Sequence, residues 1–165
     1  MSDVDAEFVE YARAAAPKLR RTAYLLCHDW HLAQDFTQTT LAKLFVSWRR
    51  IQRRDSPDAY ARKVLLRVFL DHQRRSSSRE LVVARIAETE APADQPELRL
   101  TLLEAMGHIS ARDRAVLVLR YWEDQSVDTV ADLLGISAGT VKSQSARGLS
   151  RLRRLLGTTE LALRD

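Results

Sequence analysis

Residues 126–153 read SVDTVADLLGISAGTVKSQSARGLSRLR, two short helical patterns hinged on one glycine. Ser126 and Asp128 open the first, whose apolar positions are Val127, Val130, Ala131 and Leu134. Gly135 accepts the left-handed conformation that turns a chain at a helix end, Ile136 plugs the corner, and Ser137 caps the second helix. That second helix is expected to bury Val141, Ser145, Leu149 and Leu152, which recur at i, i+4, i+8 and i+11. Small Ala131 and the single-glycine turn permit the close crossing of a helix-turn-helix.

The opposite face of the second helix presents Gly139, Thr140, Lys142, Ser143, Ala146 and Arg147, followed by Arg151, Arg153 and Arg154. Small residues let a helix N-terminus sit deep in a DNA major groove. There Thr140 and the first amides meet phosphate, while Lys142, Ser143 and Arg147 reach base edges or backbone. From Ser137 to Gly157 every charged residue is basic. From Glu97 to Leu134 the acids Glu97, Glu104, Asp113, Glu123, Asp124, Asp128 and Asp132 stand against four arginines. A generic solvated surface mixes the signs, whereas a polyanion-binding face separates them. The bland alternative is a basic αα-corner with no nucleic-acid partner.

Upstream, Ser110 caps a helix with Ala115, Val116, Val118, Leu119 and Trp122 on its buried stripe, and Glu97 to Met106 form another, closed by Gly107. Residues 88–96, ETEAPADQP, have two prolines, several acids and no apolar period, and read as a linker; Leu81 to Ala87 have room for one or two helical turns before it. The chain therefore divides into a first domain over 6–76, a linker over 77–96 and a second domain over 97–157, with residues 158–165 unassigned.

Three amphipathic segments fill the first domain. Residues 6–26 place Phe8, Tyr11, Ala12, Ala15, Leu19, Ala23 and Leu26 at helical spacing, with a kink or break expected near Ala16 because Pro17 follows. From His31 to Trp48 the stripe is Leu41, Leu44, Phe45 and Trp48, extended upstream by Leu32 and Phe36. Arg49, Arg50, Arg53 and Arg54 fall in a six-residue stretch that reads as a solvated loop. Ser56, Pro57 and Asp58 then start a third helix carrying Ala61, Val64, Leu65, Val68 and His72. It is expected to run to about Arg75 and to end at Ser76-Ser77-Ser78.

Composition narrows the class. The 165 residues carry a net charge of +4, few Gly (five) and Pro (four), and long runs of helix formers, which together point to an all-α protein. No apolar run approaches the roughly 20 residues of a membrane-spanning helix. The N-terminus, MSDVDAEF, is acidic where a signal peptide would be basic, so a cytoplasmic location is expected. A single cysteine, Cys27, leaves no internal disulfide. Cys27-His28-Asp29-Trp30-His31 reads as a helix end rather than a metal site, since structural zinc wants four convergent ligands. No nucleophilic triad, phosphate loop or carboxylate pair stands out, so neither catalysis nor a cofactor is expected.

With those residues in view, the whole chain resembles extracytoplasmic-function sigma factors of the sigma-70 family. Val130 to Ser137, then Gly139-Thr140-Val141-Lys142-Ser143 and an Arg-Leu-Arg run, look like the region-4 domain, as does Ser110 to Trp122 before them. Ile109-Ser110 stands where that family usually has Leu-Pro. Leu19 to Leu26, with Asp35-Phe36-Thr37-Gln38, are similar to region 2. The likeness covers about residues 6–156. It implies two small helical domains joined by a flexible linker. It also implies that Asp35, Gln38, Thr39 and Ala42 meet the β′ clamp of core RNA polymerase, with the β flap a second contact. Thr39 replaces the family's usual acid. It further implies that Arg49, Arg50, Arg53, Arg54, Tyr60, Arg62, Lys63, Arg67 and Arg74 handle the melted strand of the −10 element. Arg75 would add a cation and Phe69 a second candidate aromatic. Many relatives have Asn at Arg67, so no base preference is transferred. Gly139, Thr140, Lys142, Ser143, Ala146, Arg147 and Arg151 would bind the −35 element. Promoter DNA and core polymerase are the implied partners, and an anti-sigma factor is compatible with the resemblance. The rival reading is a helix-turn-helix regulator that acts without replacing the primary sigma factor. Against it, the first domain lacks the β/α alternation of a receiver domain.

Overall fold

Ser2 starts the first helix through a reciprocal cap: Asp5 N donates to Ser2 Oγ, and Ser2 N donates to the Asp5 carboxylate. The computed structural model describes residues 2–54, 56–79 and 96–157, and the side-chain surroundings of these except residues 52–54, 77–79 and 96–101. The described residues form helices and no strands, in two compact units, one within residues 1–87 and one within 88–165. The expected linker core, Leu81 to Ala87 and residues 158–165 lie outside the described residues.

In the first unit, α1 (Asp3–Cys27) is one helix that continues through Pro17, so of the kink or break expected there the chain does not break. Proline removes one donor, to the carbonyl of Arg13, and both residues face solvent, where water replaces the bond. Cys27 to His31 form the helix end expected. His28 adopts a left-handed conformation (φ 59°) and its N–H donates to Tyr24 O, while Asp29 caps α2 (Trp30–Val46) by accepting from His31 N and Leu32 N. The arginine-rich stretch is a short helix, α3 (Trp48–Arg54), where a loop was expected. Ser47 O accepts from Arg50 N and Ile51 N, and buried Trp48 and Ile51 anchor the turn, so tertiary packing overrides the charge run. Helix α4 (Pro57–Arg79) starts at Pro57 as expected but passes through Ser76-Ser77-Ser78. Serine's helix penalty is only a few tenths of a kcal/mol, roughly, and three together do not stop a long helix.

The core of this unit joins Leu19, Ala23, Tyr24 and Leu26 of α1 to Ala33, Phe36 and Leu44 of α2, and to Ala61, Val64, Leu65, Leu66 and Phe69 of α4. The buried stripe of α2 is Ala33, Phe36, Thr37, Thr40 and Leu44, rotated from the one expected. Leu41 is half-buried and Phe45 is half exposed, its ring packed 5.1 Å from that of Phe8. Two buried threonines mislead a purely apolar count, because Thr37 hides its hydroxyl by donating to Ala33 O.

In the second unit, α5 (Pro96–Gly107) is followed by α6 (Ala111–Leu117), capped by Ser110, which accepts from Asp113 N. Gly107 ends α5 without a positive φ; instead the buried Arg114 donates to Met106 O and Ile109 O. A π-helical turn, Val118–Trp122, extends α6, with Glu123 N donating to Val118 O. The extra residue per turn swings Trp122 off the buried stripe on which it was expected, leaving it and Tyr121 more than half exposed. Then come α7 (Val127–Leu134), Gly135 at φ 66°, and α8 (Ala138–Leu156). Helix α8 buries Val141, Gln144, Ser145, Gly148 and Leu152, with Leu149 only half-buried.

Gly148 sets the distance between α6 and α8: a Cβ there would lie 2.9 Å from Leu117 Cδ1 and 3.1 Å from Leu117 Cγ. Leu117 is itself buried, so its side chain can shift only against neighbouring core atoms. Gly148→Ala is therefore expected to lower the stability of the second unit by about 1–3 kcal/mol through overpacking, despite a gain of about 1 kcal/mol in helix propensity. Urea unfolding followed by circular dichroism checks this; a stabilised variant would show that Leu117 yields.

Candidate nucleic-acid interface

Helix α8 begins at Ser137, whose Oγ accepts from Thr140 N at 3.1 Å and bonds the Thr140 hydroxyl at 2.8 Å. The first intrahelical bond runs from Val141 N to Ser137 O, so the amides of Ala138 and Gly139 precede the ladder at the positive end of the helix dipole. A Cβ on Gly139 would meet only Ser137 Oγ, at 3.9 Å, so the surface there is open. Gly139, Lys142, Ser143, Ala146, Arg147 and Arg151 are exposed and Thr140 half-buried, as are the residues of a face that backs onto a core through Val141, Gly148 and Leu152. Arg153 and Arg154 continue the exposed cations into the last turn.

Arg147 differs from its neighbours. Its Nε donates to Asp113 Oδ2 at 2.9 Å and its Nη2 to Asp113 Oδ1 at 2.8 Å, a bidentate bridge from α8 to α6. The acid is 8% exposed and the guanidinium side chain 63% exposed, so the pair is anchored at one end and open at the other. Asp113 raises the Arg147 pKa from its ordinary value, first through the hydrogen bonds and then through charge. Arg147, expected as a base reader, thus commits two of its five N–H groups within the fold and keeps three for other acceptors. Nothing in the sequence marks a pair 34 residues apart.

In the first unit, Lys63, Arg67 and Arg74 are exposed along one stripe of α4, with half-buried Tyr60 one turn before them. Arg74 is ion-paired with Asp71. Arg62 is half-buried beside that stripe, and Arg75 is exposed. Arg49 and Arg50 are exposed on α3; the side chains of Arg53 and Arg54 lie outside the described residues. Phe69 is fully buried and edge-on to Phe36, which removes it as a stacking surface for a base. Tyr11 hydroxyl donates to Asp58 Oδ1 at 2.8 Å and ties α1 to the start of α4. Burial, and then that hydrogen bond, push the Tyr11 pKa well up.

On α2, Asp35, Gln38, Thr39 and Ala42 are all exposed on one face, opposite Phe36, Thr37, Thr40 and Leu44. That face ends in Val46, 85% exposed, one turn beyond Ala42. No helix among the described residues is long and apolar enough to cross a membrane.

Residues 12–79 match the family model for sigma-70 region 2, and residues 105–154 match that for sigma-70 region 4. The chain belongs to the sigma-70 family, in its extracytoplasmic-function group. It is 35% identical over 160 residues to the RNA polymerase sigma-E factor of Streptomyces coelicolor, covering 96% of this chain and 90% of that one. It is 37% identical over 160 residues to the sigma-E factor of Streptomyces antibioticus, covering 96% and 89%. Among solved structures, the sigma factor RpoE of Bartonella quintana, in complex with the anti-sigma factor NepR, shares the fold with a TM-score of 0.76. That match is 23% identical and covers 93% of this chain and 98% of the other. The two helical regions of a sigma factor therefore account for both units.

The Ser137 cap separates folding from the open face. Ser137→Ala is expected to cost the second unit about 1 kcal/mol, whereas Ser137→Asp keeps the cap and its stability but sets a negative charge at the mouth of α8. Thermal unfolding and DNA binding measured on both variants should therefore rank them in opposite orders.

Proposed function

We propose that α8 reads the −35 element of a promoter, that α3 and α4 handle the melted −10 strand, and that the exposed face of α2 holds core polymerase. The activity they serve is that of a sigma factor, which binds core RNA polymerase, directs promoter recognition and starts transcription without catalysing a reaction itself. The rival reading, a regulator that leaves the primary sigma factor in place, has no account of the region-2 match over residues 12–79. The work of such a factor is done beside the polymerase, in the cytoplasm.

One observation carries the −35 assignment: an acid-free exposed helix face whose N-terminal half combines Gly139, Ser143 and Ala146 with Lys142. Only that end can enter a major groove deeply enough for side chains to reach bases. Thr140 and the amides of Ala138 and Gly139 suit a phosphate. Arg151, Arg153 and Arg154 lie where a helix leaving the groove passes the backbone. For the −10 element, Arg49, Arg50, Arg53, Arg54, Arg62, Lys63, Arg67 and Arg74 supply cations for a single strand, and Tyr60 the aromatic ring. The polar face of Asp35, Gln38, Thr39 and Ala42 suits a polymerase contact because these four side chains are exposed among the described residues. An anti-sigma protein, of the kind bound to the Bartonella relative, is a further partner that these surfaces admit.

Run-off transcription with purified core polymerase on genomic fragments tests the function directly; no start sites above the core-only background would refute it. Replacing Asp35 and Gln38 together with Ala should weaken core affinity while stability stays within about 1 kcal/mol, as for most surface changes. Lys142→Ala should relax discrimination at one base pair, by roughly 1–3 kcal/mol. Arg153→Ala should instead weaken all sequences alike and shrink the salt slope by about one. Single-base promoter panels at several salt concentrations separate the two.

A further inference from the structure

We propose that Asp113 is a positioning residue that sets promoter specificity: it aims the Arg147 guanidinium and offsets its charge, so that Arg147 recognises by geometry instead of acting as a free cation. The proposal rests on the reading of α8 as the promoter-reading helix.

The carboxylate is well placed to do this. Asp113 sits in the first turn of α6, its own amide bonded to Ser110 Oγ, and its side chain is 8% exposed. Its position is therefore set by α6. The backbone of α8 is held against α6 one residue from Arg147, where Gly148 admits Leu117. Both ends of the bridge are thus fixed before any DNA arrives, and the two hydrogen bonds, at 2.8 and 2.9 Å, define the plane of the guanidinium. What remains for a ligand is Nη1 and one N–H of Nη2, on the edge turned away from the acid. An arginine ordered in advance loses little rotamer freedom on binding, and a misplaced acceptor gains little from it.

The charge consequence is separate. Among the described residues of α8, Arg147 alone is ion-paired to an acid; Lys142, Arg151, Arg153 and Arg154 carry no such partner. Each free cation that neutralises a phosphate adds about 0.9 to the slope of log affinity against log salt, on any sequence. A pair whose charges offset adds little to that sequence-independent pull. Asp113 thereby trades affinity for all DNA against preference for one site, which is the quantity that matters among many competing sites.

The test uses the full chain assembled with core polymerase, on a promoter, its single-base variants and unrelated DNA, at several salt concentrations. Asp113→Asn, nearly the same shape without the charge, should steepen the salt slope by about one, raise affinity for unrelated DNA several-fold and cut discrimination at one base pair by roughly tenfold. Asp113→Glu, which keeps the charge, should keep the parent slope. The double variant Asp113→Asn with Arg147→Gln leaves no unpaired charge in the fold; it should keep the parent slope and lose the discrimination. A double variant whose slope falls by about one shows Arg147 to be an ordinary phosphate contact and overturns the proposal. So does an Asp113→Asn protein that melts earlier with slope and discrimination unchanged, since that is a stability role alone. Arg153→Ala is measured alongside: if it weakens binding while Asp113→Asn changes neither quantity, only the positioning role falls. If Arg153→Ala also has no effect, the docking of α8 falls with it.

Discussion

The close approach of α6 and α8 is the contact on which the second unit depends. With no side chain at Gly148, the Leu117 isopropyl group comes within 2.9 Å of where a Cβ would be, so a larger residue requires Leu117 to shift. At this spacing the residue before it on α8, Arg147, reaches the carboxylate of Asp113 with both prongs of its fork. Arg114, on the neighbouring position of α6, turns inward and closes α5 by binding Met106 O and Ile109 O. Adjacent residues of α6 thus tie it to α8 on one side and to α5 on the other. A buried carboxylate and a buried guanidinium would each be costly alone, and each is stabilised by a partner that also fixes a helix.

The same logic of termini holds the first unit. Its helix junctions are set by backbone groups that need partners: Ser2 with Asp5, the left-handed His28 followed by Asp29, and Ser47 supplying the first acceptor of α3. Because Trp48 and Ile51 are drawn into the core, the arginines between and beside them are held on a helix instead of a free loop. Cations presented from a rigid turn lose less freedom on meeting a phosphate backbone than cations on a flexible one. Tyr11, bonded to Asp58, links that region to the start of α4, where the longer basic stripe begins.

What could be read in the residues, and what could not, follows from the range of the interactions. Capping and turn signals act within a few residues, so Ser137, Gly135, Ser110 and the start of α4 at Pro57 are legible. Periodicity located α8 and its exposed face, but in α2 it followed Leu41 and Phe45 and missed Thr37 and Thr40, whose hydroxyls are buried. Pro17 does not break α1, because the solvent side of a helix forgives one lost bond. The π turn after Leu117 has no local mark, so α-helical spacing places Trp122 on the buried stripe, about one residue's rotation from where it lies. The least legible feature was the one with most bearing on the site: Asp113 counted as one acid in an acidic half, when its charge is spent on the basic helix.

That bridge changes how the charge separation in the second unit is understood. The surface of α8 is basic because, Arg147 aside, its cations pair with no acid among the described residues, while exposed Asp128 and Asp132 on α7 keep negative charge close by. Screening confines each field to about 8–10 Å, so a DNA phosphate senses chiefly the helix it touches. An approach led by α7 would bring acids toward the backbone, and one led by α8 brings Lys142, Arg151, Arg153 and Arg154. On the proposed reading of α8, this sign pattern would orient the unit on the duplex before any base is read. Once it is oriented, the long-range pull no longer distinguishes one sequence from another. Discrimination would then fall to groups whose direction is fixed in advance, and on α8 the cation bridged within the fold is Arg147.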